Sequence, residues 1–129
     1  MQEICVFVKG VVYKNNSKGF ALSVWGVVGE PLHVIEHKEM TAYGAEKIAL
    51  QDAVKTLCAD DVVLHVFSNQ KPLIDSLNNN KAQNMPLSKS SGSCDFTWVS
   101  LKDSPAPLLK LRERAMQEVE KRGRARLVN

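Results

Sequence analysis

The sequence predicts an α/β fold: a five-stranded mixed sheet, three antiparallel strands and then strand–helix units, with three helices packed on it. Three observations lead there. Residues 1–40 hold three runs rich in β-branched and aromatic side chains, separated by turn chemistry. Between Thr41 and Cys58 the apolar period changes from two to about 3.6 residues. Beyond that, apolar strand-like runs alternate with amphipathic stretches to the end of the chain.

Glu3 to Lys9 (EICVFVK) reads as a largely buried strand, and Tyr13 to Gly19 (YKNNSKG) as a turn. Phe20 to Val28 forms the second strand, followed by a Gly29-Glu30-Pro31 turn. Leu32 to Lys38 is the third, with His33, Ile35 and His37 on one face and Leu32, Val34 and Glu36 on the other. Together they make a meander. In the next segment Leu50, Ala53, Val54 and Leu57 follow i, i+3, i+4, i+7, which marks a helix with Thr41 as N-cap. Asp60-Asp61 breaks it. Val62 to Phe67 (VVLHVF) is nearly all apolar, as a central strand covered on both faces must be. Asn69 to Asn78 predicts a short helix with Pro72 in its first turn, and Asn79 to Ser93 a long, mobile surface loop. Asp95 to Leu101 is the fifth strand. Asp103-Ser104-Pro105 opens the last helix, whose buried stripe is Leu108, Leu111, Ala115 and Val119. Residues 1–122 are expected as one domain and 123–129 as a basic C-terminal tail.

At 129 residues the chain is long enough for one core without staples, and its composition is ordinary for a globular domain. No apolar run approaches the ~20 residues that a membrane span needs. The first residues read as a strand rather than a signal peptide. Cys5, Cys58 and Cys94 are odd in number and widely spaced, which predicts reduced thiols and a cytoplasmic setting. Residues 1–109 carry ten Lys/Arg and eleven Asp/Glu, whereas residues 110–129 carry seven and three. The net positive charge therefore belongs to the last helix and its end. That block suits either a phosphate-seeking arm or a solvated helix terminus matched to the helix dipole.

The element order resembles the type 1 ribonuclease H domain of the ribonuclease H-like superfamily, over about residues 3 to 120. So do the Glu46 helix Ala45 to Val54 (AEKIALQDAV), the strand end Phe67-Ser68-Asn69-Gln70 and the Trp98-Val99 pair. The resemblance implies four carboxylates at one end of the sheet, holding two Mg²⁺ about 4 Å apart. At the matching positions this sequence has Lys9, Glu46, Ser68 and, within Ala106 to Leu108, Pro107. The family's Asp-Gly-Ser reads Lys9-Gly10-Val11, and no histidine lies between Leu101 and Pro105. One carboxylate facing a lysine does not make a two-metal centre. The expectation is a vestigial, inactive site without a resident cofactor, closed by a Lys9–Glu46 ion pair. Mg²⁺ or Mn²⁺ enters only if the site is an altered nuclease. In that case Glu46 and Asp103 make at most a weak one-metal site.

Other chemistry is sparse. His33 and His37 would stand about 13 Å apart along a strand, too far for one metal ion, and read as exposed residues. His65 reads as a core histidine. Ser68 and Asn69 sit at a strand's carboxyl end, where ligands often bind, but they equally suit helix capping. Asp60, Asp61 and Asp95 are expected at the opposite strand ends, and Asp75 on a surface helix.

Three functions follow in order. The first is a nucleic-acid-binding or assembly module that grips RNA or an RNA/DNA duplex by its backbone. Its contacts would come from Lys9, Lys14, Lys18, Lys81, Lys89, Lys121, Arg122, Arg124 and Arg126. The second is a protein-interaction or homodimerisation scaffold using the sheet edge, favoured by the near-neutral body. The third is a metal-dependent nuclease acting on RNA/DNA hybrids.

Overall fold

The computed structural model describes residues 2–15, 18–79 and 93–128. Among the described residues, five strands and three helices follow in the order β1 (Gln2–Asn15), β2 (Lys18–Gly26), β3 (His33–His37), α1 (Ala42–Leu57), β4 (Val62–Ser68), α2 (Lys71–Asn79), β5 (Ser93–Trp98) and α3 (Ala106–Val128). They build one mixed sheet ordered β3-β2-β1-β4-β5. The meander is antiparallel, while β4 and β5 run parallel to β1, as connections through helices require. The expected α/β sheet with three helices is thus present. No helix among the described residues is long and apolar enough to cross a membrane.

Alternation along β1 divides the core. Val6 and Val8 face α1 and α2, where they join Leu50, Val54, Leu64, Leu73 and Leu77. Phe7 and Val11 face α3, packing with Leu22, Val24, Leu108, Leu111, Ala115 and Val119. Each fully buried leucine contributes on the order of 1.5–3 kcal/mol. The stripe expected for α3 is the one it buries.

α1 begins where Thr41 Oγ1 accepts from the Gly44 N–H, as the sequence predicts for an N-cap. Its buried face starts with the small residues Ala45, Ala49 and Ala53, all without exposed surface. Small side chains let the helix sit low on the sheet. At Gly10 it sits lowest: a Cβ there would fall 2.5 Å from Glu46 N and closer still to the Ala42 carbonyl oxygen. Trp25 Nε1 donates to Asp52 Oδ2 at 2.8 Å and ties α1 to β2.

Several boundaries differ from the sequence expectation. The turn expected over Tyr13 to Gly19 is mostly ladder, since Tyr13 pairs with Phe20, Lys14 with Gly19 and Asn15 with Lys18. Tertiary contact overrides the local turn propensity here: the Tyr13 and Phe20 rings pack 5.4 Å apart, and α3 closes over Tyr13. β2 stops at Gly26, and Val28 stands out into solvent before a turn at Gly29, whose φ of 85° suits glycine. β5 ends at Trp98 because its partner β4 ends opposite, at Ser68. α2 begins at Lys71, two residues later than expected. Residues 80–92 of the expected loop lie outside the described residues.

The segment expected as a basic tail continues α3 through Val128, and Gly123 is buried. A Cβ at Gly123 would lie within 3.0 Å of three ring atoms of Tyr13. Replacing a helical glycine by alanine ordinarily gains about 1 kcal/mol. Here crowding against a ring already held by Phe20 outweighs it, and Gly123→Ala should lose about 1 kcal/mol. A urea midpoint that rises instead would show that Tyr13 is not docked under α3.

Candidate functional site

The sheet changes direction of growth at β1, which has β2 on one side and β4 on the other. β4 pairs with β1 as far as Phe7–Phe67 and ends one residue later, at Ser68. Beyond that point β1 runs on with no strand on that side among the described residues. The crevice outside such a switch point is where ligands bind in open α/β sheets. In this chain a side chain fills it.

Glu46 lies on α1 with no exposed surface. Its Oε1 accepts from the Gly10 N–H at 3.0 Å, and its Oε2 makes a short hydrogen bond with the Ser68 hydroxyl. Ser68 Oγ in turn accepts from the Gln70 N–H at 3.0 Å. The carboxyl group therefore substitutes for the missing strand, satisfying β1 where β4 leaves it and tying down the end of β4. Burial is the largest influence on Glu46 and raises its pKa above the ordinary value. The bonds from Ser68 and Gly10, the Lys9 charge and the Gln70 N–H oppose that rise.

The expected Lys9–Glu46 ion pair is not formed, as the two make no contact within 4.0 Å. Strand alternation is the reason. Lys9 shares the face of Phe7 and Val11, toward α3, whereas Gly10 meets α1. Burial lowers the Lys9 pKa most; Glu46 raises it, and Arg112 on α3 lowers it further. The site thus joins Gly10, Glu46, Ser68 and Gln70 in contact, with the half-buried cation Lys9 in its field and the half-buried Arg112 next to Lys9.

Pro107 is not part of this cluster. It lies in the first turn of α3 and lines a separate cavity with Phe7, Gly26 and Leu111. Asp103 is exposed, and its carboxylate accepts from Ser100 Oγ at 3.1 Å. Among the described residues no group of three or more His, Cys, Asp or Glu side chains is placed to hold a metal ion. The donor set does not fit the two-ion centre that the resemblance implies. Its single carboxyl has both oxygens taken by protein donors and is biased toward the neutral form, while the charge acting on it is the cation Lys9.

Ser68 only partly meets the capping expectation, through Gln70. Asn69 does not cap α2, because its Nδ2 donates to Val99 O at 2.7 Å and to Ser104 Oγ at 2.9 Å, anchoring the loop before α3. His33 is exposed, as expected, and stacks on Trp25 with ring centroids 3.8 Å apart, whereas His37 is half-buried, with its Nε2 2.7 Å from Ser23 Oγ. Ser23 donates to Ala45 O at 2.6 Å, which leaves His37 Nε2 as the donor to Ser23. His65 is not a core residue. It is half-buried between Glu3 at 3.1 Å and Asp95 at 3.2 Å on the flanking strands.

Of the expected nucleic-acid contacts, Lys121 and Arg124 are exposed on α3. Arg122 is already held by Glu118 at 2.8 Å and Glu36 at 3.2 Å. Lys81 and Lys89, and the side chains of Lys14, Lys18 and Arg126, lie outside the described residues. Three relevant residues have no site role in the sequence pattern: Gln70 and Trp98, which there only support the resemblance, and Arg112. Trp98, 39 % exposed, ends β5 on the same rim of the sheet as Ser68. Its Nε1 donates to Asn69 O at 3.1 Å, and Lys71 Nζ lies 5.8 Å from its ring centroid. A tryptophan at a strand's last position beside a lysine-led helix was the available signal. No protein-family model matches the chain, and no curated protein shows significant similarity to it.

Proposed function

We propose that this chain is a ribonuclease H-like module whose metal centre has been replaced by a structural clasp, and that its old active-site rim binds RNA or an RNA/DNA hybrid without cleaving it. The observation behind this reading is that Lys9, with Arg112 of α3 close to it, stands near a Glu46 whose oxygens are already occupied. Cations suit phosphates, whereas a sequestered acid does not suit Mg²⁺. The antiparallel meander followed by strand–helix units supports the family assignment. Trp98 supports the nucleic-acid assignment, because an exposed indole with a lysine over it offers a platform for an unpaired base.

The test is fluorescence anisotropy with a labelled RNA/DNA hybrid and a labelled single-stranded RNA across a salt series. Binding should weaken steeply as salt rises. Lys9→Leu and Arg112→Leu should each reduce the salt slope by about 0.7–0.9. Trp98→Ala should weaken single-stranded RNA by roughly fivefold or more. Affinity unchanged between low and moderate salt would sink the proposal. So would Mg²⁺-dependent cleavage of the hybrid that is lost in Glu46→Gln.

A further inference from the structure

The flank of α3 opposite Arg112 carries a second row of cations. Lys110, Arg114 and Lys121 fall within about 40° of one another around the helix at 100° per residue. None of the three is in an ion pair among the described residues, in contrast to Arg122 with its two acids. They overlook a groove between α3 and the β2–β3 turn. One end is a hollow of about 290 Å³ floored by Phe7, Gly26, Leu32 and Leu111, with Lys110 and Arg114 at its mouth. The other, of about 430 Å³, runs along Val24, Leu32, Val34 and Ala115 to Arg114 and Lys121. Leu32 and Arg114 line both, so the two hollows form one groove. Two acids also line it, but Glu118 is bonded to Arg122, which leaves Glu30 against three cations. Val28, 67 % exposed, stands at the lip.

We propose that this groove docks an acidic peptide segment of a partner protein. One large aliphatic or aromatic side chain enters the hollow over Leu111, and carboxylates on either side meet Lys110, Arg114 and Lys121. Lys110 and Lys121 are about 16 Å apart along the helix, the reach of roughly five extended residues. The apolar floor offers a phosphate backbone nothing, whereas the unpaired cations select acidic sequences over neutral apolar ones. This surface lies away from the nucleic-acid rim and does not depend on that assignment.

A random heptapeptide display screen against the full chain, with Arg114→Glu as counter-target, tests it. The expected result is enrichment of peptides with at least two acids flanking Leu, Ile or Phe. The best of them, made synthetically and labelled, should bind the wild type at least about tenfold more tightly than Arg114→Glu. It should also weaken with Val28→Asp and shift the amides of Leu32, Leu111 and Ala115. Four results overturn the proposal: no enrichment over the counter-target, enriched peptides without acids, equal affinity for Arg114→Glu, or shifts confined to another face. Displacement of the peptide from those amides by RNA would overturn it too, as would a dimer of the chain that Arg114→Glu abolishes.

Discussion

Gly10→Ala should destabilise the protein by about 3 kcal/mol or more, the upper range for an overpacked core site. The added methyl would meet backbone, not a side chain that can rotate away. Its nearest neighbours would be the Ala42 carbonyl oxygen and, at 2.5 Å, the Glu46 nitrogen. Relief requires α1 to rise from the sheet along its length. That lift would open the contacts of Ala45, Ala49 and Ala53, all fully buried, and stretch the bond from the Gly10 N–H to Glu46. Position 10 carries no positive φ, so the cost is steric rather than conformational. Urea denaturation should show a lower midpoint with an unchanged slope. A loss under 1 kcal/mol would mean that α1 does not approach β1 this closely, and the clasp built on that approach would fall with it.

How far the sequence reveals this fold depends on whether a feature is local. Thr41 before an i, i+3, i+4 pattern gave the start of α1, and the near-continuous apolar run Val62 to Phe67 gave the central strand. Both signals are complete within one segment. The extent of the hairpin is not legible in its own residues, because Tyr13 is packed under α3, more than a hundred residues later in sequence, while Lys14 and Asn15 continue the ladder. Glu46 was legible as an inward acid from its helical phase, yet its partners were not. Opposite charge alone pairs it with Lys9, while strand alternation places Lys9 on the other face and gives Gly10 the contact. The same gap hid Ser23, which is buried and bonded across to both β3 and α1. Polar groups that stitch separate elements together have no periodic signature. Arg112, on the flank of the stripe through Leu108 and Leu111, was within reach of the helical pattern, but only the packing of α3 against Lys9 gives it a role.

The chemistry of Glu46 yields the second large effect. In the unfolded chain this carboxyl titrates near its ordinary value of 4.5, whereas burial raises its pKa in the folded protein. Between those two values the folded state binds more protons than the unfolded state, so stability must fall as pH rises through that window. Below pH 4.5 both states are protonated and the group contributes no slope; above the raised value both are ionised and the whole penalty is present. The slope from this one group reaches at most about 1.4 kcal/mol per pH unit. Glu46→Gln mimics the neutral acid, with its oxygen accepting from Gly10 and its amide donating to Ser68 Oγ. It should match or exceed the wild type at pH 7, and its advantage should shrink toward zero as pH falls to 4.5. Glu46→Ala should instead lose about 2–4 kcal/mol near pH 4.5, because it leaves the Gly10 N–H and the Ser68 hydroxyl without their partner and opens a cavity. Subtracting wild type from Glu46→Gln at each pH cancels the histidines and other groups that titrate in both proteins. A pH-independent difference, or a glutamine variant less stable than wild type by more than about 1 kcal/mol at neutral pH, would mean that Glu46 is ionised and held by its cations. The crevice would then hold a charged carboxylate, and Lys9 would be its counter-ion after all.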